Sequence, residues 1–240
     1  MALFPLNSTF GTKEINNRVA EGNASGVNFA PGPDGVAGGS YEFSGSLKSF
    51  IEFPNSAGEP LDVRYSITML CWVYYNGQDG PLFGYSTASV AWGVQLRVFH
   101  GELYVGFTSR DYSSFTHYHL HTALADGWKF VGATYDNSTG KAKLWVNGAV
   151  AQTHYFGAGL ELATQGSIRM GANDWGYSVQ YFKGRITQMQ VYNEALTQEQ
   201  IQAIQQQTEA VGEYMTKQKC PAKACAFRVP NWLFCDVQFL

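Results

Sequence analysis

The stretch Asp126-Gly127-Trp128-Lys129-Phe130-Val131-Gly132-Ala133-Thr134-Tyr135-Asp136-Asn137-Ser138-Thr139-Gly140, followed by Lys141-Ala142-Lys143-Leu144-Trp145-Val146-Asn147-Gly148, decides the fold of this chain. Asp126-Gly127 turns the backbone into an aromatic and β-branched run that ends at Tyr135. Asp136 to Gly140 turns it back into Lys141–Val146, and Asn147-Gly148 turns it once more. An Asn-Gly pair between two alternating runs is the strongest short hairpin signal, because both central residues of the tight turn need positive φ. The expected unit is an antiparallel meander.

The same pattern extends outward from about residue 40 to residue 195, as short β-branched and aromatic runs separated by Gly, Asn, Asp and Ser. Such spacing marks an all-β sandwich or barrel. Tyr41-Glu42-Phe43 and Ser49 to Phe53 alternate. Between Tyr65 and Tyr75, Ile67, Met69, Cys71 and Val73 share one face while Trp72 and Tyr74 point the other way. Apolar residues on both faces predict a central strand covered twice. Val90–Phe99 and Glu102–Thr108 read as strands about a His100-Gly101 turn, and Tyr112–Thr122 as extended. One short helix follows: Thr197 and Gln200 form a capping box, with Ile201 and Ile204 as an apolar stripe through Gln207. Composition shifts beyond Val211. Residues 1–211 are therefore read as one β-sandwich domain and 212–240 as a Cys-containing tail.

Composition narrows the function. The 240 residues carry a formal charge of −3, with 45% hydrophobic, 15% aromatic and 15% charged residues. Plentiful aromatic surface excludes disorder of the whole chain, and the near-neutral charge argues against a nucleic-acid partner. No apolar run approaches the roughly 20 residues of a membrane span. Met1-Ala2-Leu3-Phe4-Pro5 has neither the basic start nor the apolar core of a secretory signal. Three N-x-[ST] sequons, at Asn7, Asn23 and Asn137, nevertheless favour a secreted glycoprotein. A mature domain behind a new Met reconciles the two, and a cytosolic location stays open. Cys71 sits in an apolar run and is expected to be a free core thiol. Cys220, Cys225 and Cys235 suggest one local disulfide. The leftover thiol then reaches Cys71, bonds another chain or stays free. Zinc is the rival reading, against which stand the wide C-x4-C-x9-C spacings and the lack of a neighbouring His.

In order along the chain, several segments resemble the laminin-G-like jelly roll of the concanavalin A-like lectin and glucanase superfamily. These are Leu3 to Asn7, Pro31 to Ala37 with Tyr41 to Gly45, and Ser66 to Tyr74. Asp126-Gly127-Trp128 through Tyr135-Asp136 follows, leading to Lys143 to Gly148, and then Tyr181 to Ile186 with Tyr192 to Thr197. The resemblance covers roughly residues 3 to 205. It implies two antiparallel sheets with loops gathered at one rim, binding of glycans, glycosaminoglycans or extracellular proteins, and often one calcium ion. A shared fold does not fix a shared function, so each site is read separately.

Glycoside hydrolysis needs two carboxylates about 5–5.5 Å apart in retaining enzymes, which the hydrolase branch supplies as E-x-D-x-x-E. The chain lacks that triplet; Glu42 and Glu52 lie on separate expected strands, and Glu59 and Asp62 in a loop. Ca²⁺ needs six to eight oxygens. Asp34 and Asn173-Asp174 are candidate contributors and Ser44 a weaker one, but Thr187 stands where relatives often place an acid. The alternative is that Asp34 and Asp174 only bond their own turns. His117, His119 and His121 fall on one strand face, too far apart on a straight strand to converge on a metal, and read as binding-surface polarity. A sugar site needs aromatic planes beside planar hydrogen-bonding groups. Asn173, Asp174, Trp175 and Tyr177 supply one such set, and Asp111 and Tyr112, bordered by Trp92, a second; the rival is that these rings fill the core. The expectation is a non-catalytic extracellular module that binds a glycan or extracellular protein at rim loops. The alternatives are a structural protein that forms homo-oligomers through its Cys-bearing tail, and a glycoside hydrolase relative.

Overall fold

The computed structural model describes residues 1–86, 93–111, 118–173 and 180–217. In chain order the strands are β1 (Ala2–Phe4), β2 (Asn23–Ser25), β3 (Val27–Ala30), β4 (Ser40–Ser44), β5 (Phe50–Phe53), β6 (Ile67–Gln78), β7 (Gly80–Tyr85), β8 (Gln95–Phe99) and β9 (Glu102–Phe107). They continue with β10 (Tyr118–Ala123), β11 (Gly127–Asp136), β12 (Lys141–Val146), β13 (Ala149–Tyr155), β14 (Ile168–Met170), β15 (Ala172–Asn173), β16 (Gln180–Tyr181) and β17 (Lys183–Tyr192), before the helix α1 (Gln198–Lys217). An eight-stranded sheet runs β13-β12-β11-β6-β17-β4-β3, with β1 also on β17. A seven-stranded sheet runs β10-β9-β8-β7-β14-β5-β2, and β15 pairs with β16. Every pairing is antiparallel, which gives the jelly-roll sandwich expected from the sequence.

The deciding stretch folds as read. β11 pairs with both β6 and β12, and Asn147 and Gly148 take φ of 50° and 69° in the β12–β13 turn. β6 is the central strand covered on both faces. Ile67, Met69, Cys71 and Val73 enter the inter-sheet core, while Leu70 and Trp72 enter a second cluster outside the sheet. Cys71 is a free, fully buried thiol, and burial pushes its pKa up to about 12. The second cluster joins Leu70, Trp72, Phe130, Trp145 and Tyr192 to Leu196 and Ile201, which brings α1 onto the eight-stranded sheet. The capping box forms: Gln200 N donates to Thr197 Oγ1 at 3.3 Å and Thr197 N to Gln200 Oε1 at 2.8 Å.

Three boundaries differ from the sequence reading. The strand expected from Val90 is regular from Gln95, and the extended run expected from Tyr112 is β10 from Tyr118; residues 87–92 and 112–117 lie outside the described residues. The helix outlasts its apolar stripe and continues to Lys217, across the point where the tail was expected to start. Good helix formers, Gln205 to Gln207, Glu209, Ala210, Met215 and Lys217, carry it on after the stripe ends. Cys220, Cys225 and Cys235 lie outside the described residues.

Candidate functional site

One end of the sandwich is assembled from three connections. β7 ends at Tyr85, β8 begins at Gln95 and β9 ends at Phe107, so the chain leaves the seven-stranded sheet twice at the same end. Pairing of Tyr85 with Ile168 brings the connection before β14 to that end as well. Polar clamps hold these segments. Arg110 N donates to Glu161 O at 2.8 Å, and the Arg110 guanidinium makes two 2.7 Å bonds to the Asp62 carboxylate. Thr164 Oγ1 and Gly58 N, both at 2.9 Å, complete the donors to Asp62, whose side chain is only 5% exposed. Burial alone pushes the Asp62 carboxyl up. The hydrogen bonds from Arg110, Gly58 and Thr164, with the Arg110 charge, outweigh it and hold the group below the usual carboxylate range.

On this clamp sits an open cleft of about 210 Å³ lined by Ser109, Asp111, Gly159, Leu160 and Glu161. Ser109 Oγ donates to Asp111 Oδ1 at 2.5 Å. A second hollow of about 310 Å³, between Pro60–Ser66 and Asn193, adjoins it, and the 2.6 Å Arg64–Glu161 ion pair links the two. The Tyr65 ring on its wall is 52% exposed. Carboxylates, a guanidinium and an open ring on a fixed floor suit reversible binding of a polar ligand.

Asp111 therefore lies in this rim cleft. Tyr112 and Trp92, proposed as its neighbours, fall outside the described residues, in the two connections that leave the sheet at this end. Asn173 lies elsewhere. β14 runs antiparallel to β7 and delivers the chain past Pro81, where Gly171 N donates to Pro81 O at 2.9 Å, so β15 begins at the opposite end of the sheet. Asp174, Trp175 and Tyr177 are outside the described residues. Asp111 and Asn173, the described members of the two expected binding sets, thus lie toward opposite ends of the seven-stranded sheet, because β14 crosses it between them.

The candidate metal residues are not brought together. Asp34 sits in the β3–β4 turn, where its Oδ1 accepts from Val36 N at 2.9 Å, and Ser44 ends β4 against Ser46. The four residue steps of β4 put its ends about 13 Å apart. Thr187 is buried and donates to Pro5 O at 2.8 Å. Among the described residues, no group of three or more His, Cys, Asp or Glu side chains is placed to hold a metal. His119 and His121 stand 6.2 Å apart between ring centroids, with His121 Nδ1 2.9 Å from Glu102; His117 is outside the described residues.

Two of the carboxylates weighed for hydrolysis, Glu42 and Glu52, are separated and engaged. Glu42, on the eight-stranded sheet, meets Arg185 at 3.2 Å, and Glu52, on the seven-stranded sheet, meets Arg169 at 2.9 Å. Of the sequon asparagines, Asn23 is exposed on β2 and Asn7 caps a turn through Thr9 N and Phe10 N, whereas Asn137 Nδ2 donates to Leu160 O at 2.9 Å. The Asp62–Arg110 clamp escaped the sequence reading, since partners 48 positions apart leave no local pattern.

Comparison with known proteins agrees with this architecture. The family described as the concanavalin A-like lectin/glucanases superfamily matches over residues 44–202. No curated protein matches in sequence. The botulinum neurotoxin serotype G binding domain superposes with a TM-score of 0.66 at 10% identity, covering 85% of this chain and 50% of its own. The serotype D binding domain gives 0.66 at 14%, covering 86% and 50%. The serotype D ligand binding domain in complex with N-acetylneuraminic acid gives 0.66 at 13%, again covering 86% and 50%. The chain spans about half the length of these neighbours, and at such identities they show the fold alone. Residue by residue and strand by strand, the chain belongs to the concanavalin A-like lectin/glucanase superfamily, in its laminin-G-like form.

Proposed function

We propose that the chain is a non-catalytic, extracellular carbohydrate-binding module that takes its ligand at the loop rim. The observation that carries this reading is the open cleft of Ser109, Asp111 and Glu161 on loops clamped by Arg110 and Asp62. Such a site offers hydroxyl-recognising groups, and binding sites are typically placed on loops held by a rigid scaffold. The superfamily contains lectins as well as glucanases, and one structural neighbour is a ligand binding domain in complex with N-acetylneuraminic acid. Among the described residues, no helix is long and apolar enough to cross a membrane.

A glycan array probed with the whole chain, in calcium and again in chelator, tests the reading. Selective hits that weaken about tenfold in Asp111→Ala, the equivalent of 1.4 kcal/mol, are expected. An array blank under both conditions contradicts it.

A further inference from the structure

The outer face of the seven-stranded sheet carries a constellation separate from the rim cleft. Leu96, Val98, Leu103, Val105 and Leu120 point into the core, so the alternating partners point out. Cross-strand register places Glu52, Arg169, Gly84, Gln95, Gly106 and His119 in a single row across β5, β14, β7, β8, β9 and β10. Gln95 lies between two glycines and is only 4% exposed, yet among the described residues no hydrogen-bond donor reaches its Oε1. A buried acceptor left unsatisfied is destabilising, and a ligand hydroxyl that donates to it relieves that cost.

The next row supplies rings and a cation. The Arg97 guanidinium lies 4.4 Å from the Phe99 ring centroid and 4.5 Å from that of Tyr104. Tyr104 in turn stacks on the exposed His119 ring at 5.3 Å and 16°. Of the other polar groups facing this patch, Arg169 pairs with Glu52 and His121 Nδ1 lies against Glu102.

We infer that this face is a second saccharide subsite, for a pyranose ring. The apolar C–H face of the sugar lies on the exposed His119 ring, which Tyr104 backs, and ring hydroxyls bond the Gln95 amide and Arg97. Turning the Gln95 amide about χ3 carries its oxygen outward, where a sugar hydroxyl donates to it. Gly106 makes room for that amide: a Cβ there would lie 3.1 Å from Gln95 Nε2 and 3.3 Å from its Cγ. The inference rests on the carbohydrate reading but places a ligand where that reading does not.

The test is an NMR titration of the ¹⁵N-labelled whole chain with three neutral disaccharides, lactose, maltose and mannobiose. At least one is expected to shift Gly84, Gly106, His119 and the Gln95 side-chain amide together. Tyr104→Ala and Gln95→Leu should each weaken that response tenfold or more while signals from Ser109 and Asp111 stay unchanged. If Gln95→Leu fails to fold, Gly106→Ala tests the same amide by displacing it, and the same loss is expected. Shifts confined to Ser109, Asp111 and Glu161 overturn the subsite and leave the carbohydrate reading standing. No shifts with any disaccharide, together with a blank array, overturn both.

Discussion

The outer faces of the two sheets are built by the same alternation and put to opposite uses. On the eight-stranded sheet, the outward residues Leu70, Trp72, Phe130, Trp145 and Tyr192 are sealed beneath α1 by Leu196, Ile201 and Ile204. On the seven-stranded sheet, the outward residues are Gln95, Arg97, Tyr104, His119 and Arg169, ordered by ring stacking and ion pairs, with no described helix over them. The covering helix turns outward rings into packing, whereas on the other face rings and planar polar groups stand with no described helix over them. Trp72, Trp128 and Trp145, the three tryptophans whose surroundings are described, all belong to the helix-covered cluster. Among the described residues, the indoles thus serve packing.

The largest contrast is in stability. Trp145 is 1% exposed and donates through Nε1 to Thr134 at 3.1 Å, so Trp145→Ala should cost about 3–5 kcal/mol in urea denaturation. Tyr104→Ala on the opposite face should cost less, about 1–2 kcal/mol, since its ring is only half-buried. Equal losses would erase the distinction between the faces.

The rim clamp comes next. Asp62→Ala strands the Arg110 guanidinium, and removing one partner of a buried pair costs about 3 kcal/mol. The Asp62 carboxyl is depressed in the folded state below its ordinary 3.8. Its contribution is therefore complete above that value and is lost as pH falls through the folded one. The native chain should lose stability more steeply than Asp62→Asn on acidification below about pH 4; parallel pH curves would remove Asp62 from the clamp.

Smaller effects sharpen the helix side. Trp72 Nε1 donates to Thr208 at 3.0 Å, so Thr208→Val should cost about 1 kcal/mol by urea denaturation. Cys71, with its thiol pushed up to about 12 and wholly buried, should resist thiol reagents at pH 8 until the chain unfolds. Rapid labelling of the folded protein would show that the sheets part more readily than this packing allows.

Legibility from sequence follows the range of each interaction. The β11–β12–β13 meander, the two faces of β6 and the capping box at Thr197 were readable because each is set by neighbours two to four positions apart. The placement of Asp111 and Asn173 toward opposite ends of the sheet was not, since it depends on β14 pairing with both β5 and β7. The row through Gln95 was half readable. Gln95, Arg97 and Phe99 alternate with Leu96 and Val98, but the glycines on either side come from β7 and β9 and are joined to it only by register. The longer helix reflects propensity persisting beyond the stripe that docks it.

The central claim is that this sandwich holds a sugar and leaves it unchanged. It is tested most directly by calorimetric titration of the strongest array ligand into the whole chain at neutral pH, with reducing ends counted in the same sample afterwards. Saturable heat with the glycan recovered intact is the predicted result. The absence of heat, or new reducing ends that accumulate with time, would contradict it.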